Sequence, residues 1–326
     1  MCKLTTSLHP RNTISKMTED KAPVEQILEP PSITARYTCA SILLAIFAVW
    51  GKLAFLPESE APGIGSPIHG LNLTVFFTSF YILSLPVLRV FSSRILSKNV
   101  DVKLLLKESM ILYNVFQVLV NGWMVFRFID ALLFRGHPFI GDYQNVTSGA
   151  TYAVWIHYCD KYLEFLDTYF MILRGKIEQV SFLHLYHHIS IAFAWWYGLS
   201  LFPGGDGYFG ALLNSWIHVM MYSYYALSLL KIRCPWKKYL TLAQLAQFCT
   251  VVLYTGISYM KVMKHAPKEV LTCYLVQAFE MISLFILFTQ FYIETYRKQT
   301  TSKKKAECKS SVSPDAGSLS SDSAES

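Results

Sequence analysis

The stretch Val180-Ser-Phe-Leu-His184-Leu-Tyr-His187-His188-Ile-Ser-Ile-Ala-Phe-Ala-Trp-Trp-Tyr-Gly-Leu-Ser-Leu201 decides the fold of this chain. Its length and composition suit a bilayer crossing, which takes about 20 mostly apolar residues. Yet it holds three imidazoles, spaced i, i+3, i+4 and therefore on one helical face. Ionisable side chains within a span are costly, so they usually face a protein interior and do a job there.

The rest of the chain agrees with a membrane setting. Of 326 residues, 53% are hydrophobic and only 16% charged, where a soluble domain carries roughly 25%. Seven core spans are expected: Leu71–Val90, Met110–Ile129, Ala150–Leu173, Val180–Leu201, Tyr208–Leu230, Tyr239–Ile257 and Val270–Tyr292. An earlier apolar stretch, Tyr37–Leu56, contains Lys52 and reads either as an extra span or as a helix lying in the interface. The fold class is thus all-α and polytopic. Residues 1–36 read as a polar leader without a cleavable signal peptide. Residues 71–297 form the membrane domain. Residues 298–326, rich in Lys, Ser and Asp/Glu and lacking aromatics, read as a disordered tail.

A net charge of +7 raises nucleic acid as a partner, but its distribution argues against it. Arg89, Arg94, Lys98, Lys103 and Lys107, then Arg174 and Lys176, then Lys231, Arg233, Lys237 and Lys238, then Arg297, Lys298 and Lys303–Lys305 gather at alternate span ends. The positive-inside rule puts these loops and the C-terminus in the cytosol. The acceptor sequon Asn145-Val146-Thr147 then falls in a loop on the far side. Seven scattered cysteines form no C-x-x-C pair, so neither a disulfide framework nor a zinc site is expected.

Polar stripes recur at one depth. The second span carries Asn114, Gln117 and Asn121; the third His157, Lys161, Glu164 and Thr168, with Asp160 and Asp167 beside them. The fifth carries Asn214, His218, Tyr222 and Tyr225; the sixth Gln244 and Gln247. At about 1.5 Å per residue, Gln117, Glu164, His187, His218 and Gln247 all lie about 13–20 Å from their basic ends. An internal chamber open to the cytosol explains that agreement. Interhelical hydrogen bonding is the alternative for the amides, and a buried structural ion pair is the alternative for Lys161 with Glu164.

Nine histidines are present, and His9, His69, His137 and His265 fall outside the chamber. Membrane desaturases and hydroxylases use about eight in several boxes, so a di-metal oxidase fits poorly. Adjacent His187 and His188 also diverge by about 100° on a helix, which disfavours a joint metal seat. The expectation is no metal and no cofactor. Without one, imidazole acts as base or nucleophile, and a thioester suits it, since thiolate leaves readily.

Four motifs carry a family resemblance. Lys161-x-x-Glu164-x-x-Asp167-Thr168, the His184-x-x-His187-His188 box, Asn214-x-x-x-His218-x-x-Met221-Tyr222-x-Tyr224-Tyr225 and Thr241-x-x-Gln244-x-x-Gln247-Phe248 stand in the order found in the very-long-chain fatty-acid elongases. The chain resembles that family from about residue 71 to 297. Gln179 with Val180-Ser-Phe-Leu, and the segments 202–211 and 232–239, resemble the algal and diatom members acting on polyunsaturated C18–C20 chains.

The resemblance implies helices 2–7 forming a barrel around an acyl tunnel in the endoplasmic reticulum membrane. It implies condensation of acyl-CoA with malonyl-CoA, the co-substrate, to a 3-oxoacyl-CoA, with loss of CO2 and CoA. His187 is the candidate nucleophile. His218 and His188 are candidates to protonate or position, and His184 and Asp167 to orient imidazoles. Lys161 and Asn214 are candidates, with Gln244, to stabilise oxyanions or the malonyl carboxylate. Substrate contact is expected from Glu164, Gln179, Asn214, Tyr222, Tyr225, Gln244, Gln247, Asn114 and Gln117. The implied partners are membrane lipid, the ketoacyl-CoA reductase, dehydratase and enoyl-CoA reductase of the elongation cycle, and a second copy in a homodimer. A membrane desaturase and a transporter remain the rival readings at this stage; transporters tend to show repeated halves, and no repeat is visible.

Overall fold

A computed structural model describes residues 29–55, 70–96, 100–144 and 148–310. Most of the leader, the Asn145 sequon and the tail beyond 310 lie outside them. The described residues form helices: α1 Ile33–Ala54, α2 Leu71–Phe91, α3 Lys107–Phe134, α4 Ala150–Leu163, α5 Phe165–Leu173, α6 Phe182–Leu201, α7 Gly207–Leu229, α8 Leu240–Val262 and α9 Lys268–Ser310. Helix α9 continues beyond residue 298, where a disordered tail was expected. The residues there include four lysines and no Gly or Pro up to residue 310, which favours continuation of a helix already nucleated in the bundle.

Five helices, α1, α2, α3, α8 and α9, are long and apolar enough to cross a membrane. The other segments expected to span are less apolar for a chemical reason: they hold the histidines, carboxylates and lysine of the polar stripes. The third expected span is also divided. Glu164 sits between α4 and α5, where Asp167 N–H bonds the Glu164 carbonyl at 3.0 Å, a tightened i+3 turn.

Residues 37–56, left open between a span and an interfacial helix, lie almost wholly in α1, which is long and apolar enough to cross a membrane. Its contacts with α3 advance in step. Arg36 pairs with Glu108, Phe47 stacks on Phe116, and Phe55 meets Trp123. Two indoles tie it to α4: Trp50 Nε1–H donates to Cys159 O at 3.0 Å, and Trp155 Nε1–H to Ala54 O at 2.9 Å. The helix runs beside α3 rather than crossing it at one point.

Helix neighbours close a ring. α3 packs on α7, α7 on α8, α8 on α9, α9 on α6, α6 on α4, and α4 on α3 again. Helix α2 docks outside against α5 and α6, and α1 against α3 and α4. This is the six-helix barrel expected for helices 2–7, with α4–α5 as one stave.

One end of the barrel is tied by a knot around Asp206, which is buried. Its carboxylate accepts from Gly141 N–H at 3.0 Å, Asp142 N–H at 3.1 Å, Tyr254 O–H at 3.2 Å and Tyr274 O–H at 2.9 Å. Tyr208 and Tyr254 hydroxyls also reach Phe139 O. Thus α7, α8, α9 and the loop after α3 are fastened together. Gly205 is required there by close approach: a Cβ would stand 2.1 Å from the Phe202 ring and 2.5 Å from Asp142 O. Beside the knot, His137 bonds Ser148 Oγ at 2.8 Å and lies edge-on to Tyr208. Burial holds its imidazole below the ordinary histidine value, although Asp142 and Asp206 oppose this.

Candidate active site

The ring holds a narrow cavity of about 70 Å³ between its helices. Its walls come from α4, α6, α7, α8 and α9. Apolar side chains such as Ile191, Trp195, Val251 and Met281 dominate, and the far end reaches Phe202 and Tyr208 near the Asp206 knot. His187, Asn214 and Gln247 line the same space.

Helix α6 is started so that its histidines meet this cavity. Ser181 caps it, its Oγ accepting from His184 N–H at 3.2 Å. From that start, His187 faces the cavity, and Ile191 and Ala194 continue its face. His184 and His188 turn elsewhere. His184 Nε2 lies 2.7 Å from Thr168 Oγ1, which lies 2.7 Å from Tyr81 O–H. His188 is buried among His184, Tyr81 and Phe165, with ring centroids 4.4, 6.2 and 6.0 Å away. The roughly 100° between adjacent residues separates it from His187. The expected role for His188 at the reacting groups does not fit this placement; it packs behind the wall.

Helices α4–α5 and α7 run parallel, which brings their polar stripes into register. His157 meets Ser215 at 3.2 Å, Lys161 Nζ donates to Asn214 Oδ1 at 3.1 Å, Glu164 Oε1 stands 3.1 Å from His218 Nδ1, and Tyr222 O–H donates to Asp167 Oδ2 at 2.7 Å. Lys161 Nζ also donates to Glu164 Oε1 at 2.6 Å. Lys161 and Glu164 are each 1% exposed, so the pair holds its charges only because each satisfies the other. The result is a continuous chain, Asn214–Lys161–Glu164–His218, whose Asn214 end opens on the cavity. His187 lies within electrostatic reach of Glu164, Lys161 and His218.

This register corrects the expected division of labour. Asp167 faces a tyrosine, so it does not orient an imidazole; Glu164, expected to touch substrate, faces His218 instead. Tyr222 is spent on Asp167 and Tyr113, and Tyr225 packs edge-on to Tyr222. Asn114 donates to Met110 O, Gln117 to Tyr113 O–H, and Asn121 to both Gln117 and Asp160. Most of these bonds stay within α3 and only Asn121–Asp160 reaches another helix; among the described residues none from α3 lines the cavity. Gln244 is half-buried and absent from that wall, while Gln179 is exposed in the turn between α5 and α6. Of the expected substrate contacts, Asn214 and Gln247 line the cavity.

Asp160, Glu164 and His218 bring one ligand atom each within 4.8 Å of one another. That is the spacing of a metal seat, though not at the histidine box. The Lys161 ammonium on Glu164 already supplies positive charge there, so the donor set fits a buried ion-pair network better than a cation.

Residues missed in the sequence include Asp206, Gln277 and Glu280. Gln277 and Glu280 line the cavity from α9. Glu280 is buried, accepts from Ser190 Oγ and lies 3.5 Å from Tyr186 O–H. Their signal was present: an i, i+3 polar pair inside an apolar span, the spacing of the other stripes.

A family model described as ELO, the GNS1/SUR4 family, matches residues 67–304. The chain belongs to the ELO family. It is 38% identical over 205 residues to very long chain fatty acid elongase 5 of Tachysurus fulvidraco, covering 60% of this chain and 68% of that protein. It is 37% identical over 211 residues to very long chain fatty acid elongase 2 of Mus musculus, covering 62% and 70%. To very long chain fatty acid elongase 5 of Homo sapiens it is 44% identical over 156 residues, covering 47% and 51%. The family match takes in α2 to α9, the whole ring and its contents, and leaves out α1.

Proposed function

We propose that this chain is a multi-pass membrane elongase that condenses an acyl-CoA with malonyl-CoA to give a 3-oxoacyl-CoA, CO2 and CoA. The observation that carries the reading is the single opening of His187 onto a long apolar cavity, beside the Asn214–Lys161–Glu164–His218 chain. A desaturase would need a metal set at the histidine box, whose three rings point in different directions. The reading extends to the endoplasmic reticulum membrane, to a cytosolic C-terminus, and to the reductases and dehydratase that consume the product.

The steps follow from what each group can do. A His187 nitrogen attacks the thioester carbonyl, the C–S bond breaks, and CoA leaves as thiolate to be protonated. The acyl group then rests on imidazole while its tail fills the cavity. Malonyl-CoA loses CO2, and the electron pair of the broken C–C bond becomes an enolate. The enolate carbon attacks the acyl-imidazole carbonyl, forming the new C–C bond as the C–N bond breaks. Asn214, held by Lys161, is placed to steady the oxyanion. Glu164 fixes the His218 ring, which supplies or takes the proton.

Cavity length supports a long-chain substrate. From His187 to Phe202 is fifteen positions on α6, about 22 Å at 1.5 Å per residue. A zigzag carbon chain built from bonds of about 1.52 Å advances about 1.25 Å per carbon, so this stretch of wall matches the length of about 17–18 extended carbons. That match in length supports the proposed C18–C20 range.

Membranes containing the expressed chain, given acyl-CoA and labelled malonyl-CoA, test the reading. A labelled 3-oxoacyl product is expected, and so is an acyl adduct on His187 by mass spectrometry when malonyl-CoA is withheld. Product without any adduct under trapping would leave histidine as a base alone. No product would end the elongase reading.

A further inference from the structure

Gln277 is a polar group where an acyl tail should meet only hydrocarbon. It lines the cavity from α9, and among the described residues its carboxamide has no hydrogen-bond partner. An amide sealed under methylene groups without a partner is unfavourable. The neighbouring acid, Glu280, is bonded to Ser190 and stands near Tyr186. Of the polar groups that α9 gives this wall, the open one is therefore Gln277, away from Asn214 and Gln247.

Two helices give its depth. The Cβ position of Gly210 lies 3.2 Å from Gln277 Nε2, and Gly210 is eight residues below His218 on α7, about 12 Å at 1.5 Å per residue. On the opposite side, Glu280 meets Ser190, and Cys273 packs with Phe202. Gln277, three residues from Glu280 on α9, falls level with about residue 193 of α6, about 9 Å below His187. At about 1.25 Å per carbon, a depth of about 9–12 Å is about the seventh to tenth carbon of a tail attached at His187. The absence of a Cβ at Gly210 leaves room for the carboxamide there; Val251 Cγ1 is the next atom, at 3.6 Å.

Resting on the elongase reading, we propose that Gln277 is a specificity-determining residue: its amide N–H recognises a hydrogen-bond acceptor between about carbons 7 and 10 of the acyl chain. The acceptor is either the π electrons of a cis double bond or an oxygen substituent. A saturated tail leaves the amide unpaired and is disfavoured for that reason. A cis bond at this depth also bends the tail where the cavity passes the Gly210 notch.

The test compares kcat/KM for stearoyl-CoA, cis-Δ9 and cis-Δ6 octadecenoyl-CoA and 10-hydroxystearoyl-CoA, using the full chain and the variant Gln277→Leu, which keeps the volume. The unaltered chain should prefer the Δ9 tail over the saturated and Δ6 tails by about two- to fivefold, the scale of an N–H···π contact. Gln277→Leu should bring these ratios to within about twofold, mainly by improving stearoyl-CoA. If preference attaches to the hydroxylated tail and not to Δ9, at up to about tenfold, the acceptor is oxygen and the assignment of Gln277 stands. The unaltered chain alone tests the depth, so a poorly folding variant does not shield the proposal. Condensation that proceeds with equal ratios for all four tails, or with a preference unchanged in Gln277→Leu, overturns the inference and leaves the elongase reading intact. No condensation with any tail overturns both.

Discussion

The two ends of the cavity are both built from buried polar groups, yet they are finished differently. At the Asp206 end the carboxylate is met by two backbone N–H groups and two tyrosine hydroxyls. Both oxygens of that carboxylate are met, and of the His137 ring beside it only Nε2 has no partner among the described residues. At the His187 end, Asn214 has one side of its amide held by Lys161 and lines the cavity, and Gln247 is buried with no partner among the described residues. Satisfied polarity ties helices together, whereas unsatisfied polarity facing an empty space waits for a ligand. That contrast separates scaffold from site more sharply than residue type does.

The sharpest break in the contrast is His187→Ala against Asp206→Ala. Loss of His187 should lower condensation about a thousandfold, in the range of a removed acid–base or nucleophilic group, with thermal unfolding in detergent little changed, because the side chain faces empty space. Loss of Asp206 should do the reverse. Removing a buried carboxylate strands four donors and costs about 3–5 kcal/mol of stability, while the folded fraction keeps its activity per molecule. Equal loss of activity in both, at equal folded fraction, would erase the distinction between the ends.

A smaller effect sharpens the middle of the chain of contacts. Lys161→Met and Glu164→Gln each leave the other partner buried without its counter-charge, so each alone should be costly. The double variant should recover about 1–3 kcal/mol relative to the sum, since the pair is in direct contact. Activity should not recover with it, because Glu164 also faces His218. A strictly additive cycle in stability would mean that the 2.6 Å contact is not made.

Much of this was legible beforehand. The histidine stripe and the alternating basic ends announced a membrane bundle; of the residues at shared depth, His187 and Gln247 line the cavity, while Glu164 and His218 pair with each other outside its lining. What could not be read was which helices run side by side. The pairing of Glu164 with His218 and Asp167 with Tyr222 follows from the parallel contact of α4–α5 with α7, and periodicity on a single helix carries no such information. The amides of α3 showed the same limit: Asn114 and Gln117 have the right depth and the wrong azimuth. Asp206 was hidden because its partners come from three other segments, and α1 because its span or interface character depends on what it packs against. Gln277 and Glu280 were readable by spacing and were overlooked in the most apolar span.

The smallest predicted effect lies at the Asp206 end and depends on pH. His137, in the loop outside the spans, is neutral in the fold because burial holds its imidazole below the ordinary histidine value. The unfolded chain, with the ordinary value near 6.5, takes up a proton first as the pH falls. It then binds more protons than the folded chain, so stability rises with pH across this window. The contribution is therefore full above about pH 6.5 and is lost as the pH falls toward the lowered folded value. Unfolding temperature should fall on acidification from pH 7.5 to 5.5, and the fall should shrink in His137→Gln, which keeps a polar group near Ser148 but does not titrate. Condensation measured well below the unfolding temperature should not share this His137-dependent step, because the loop it stabilises sits at the satisfied end. A His137-dependent loss of activity at the same pH would mean that the knot and the chamber are coupled, and that the two ends are one site.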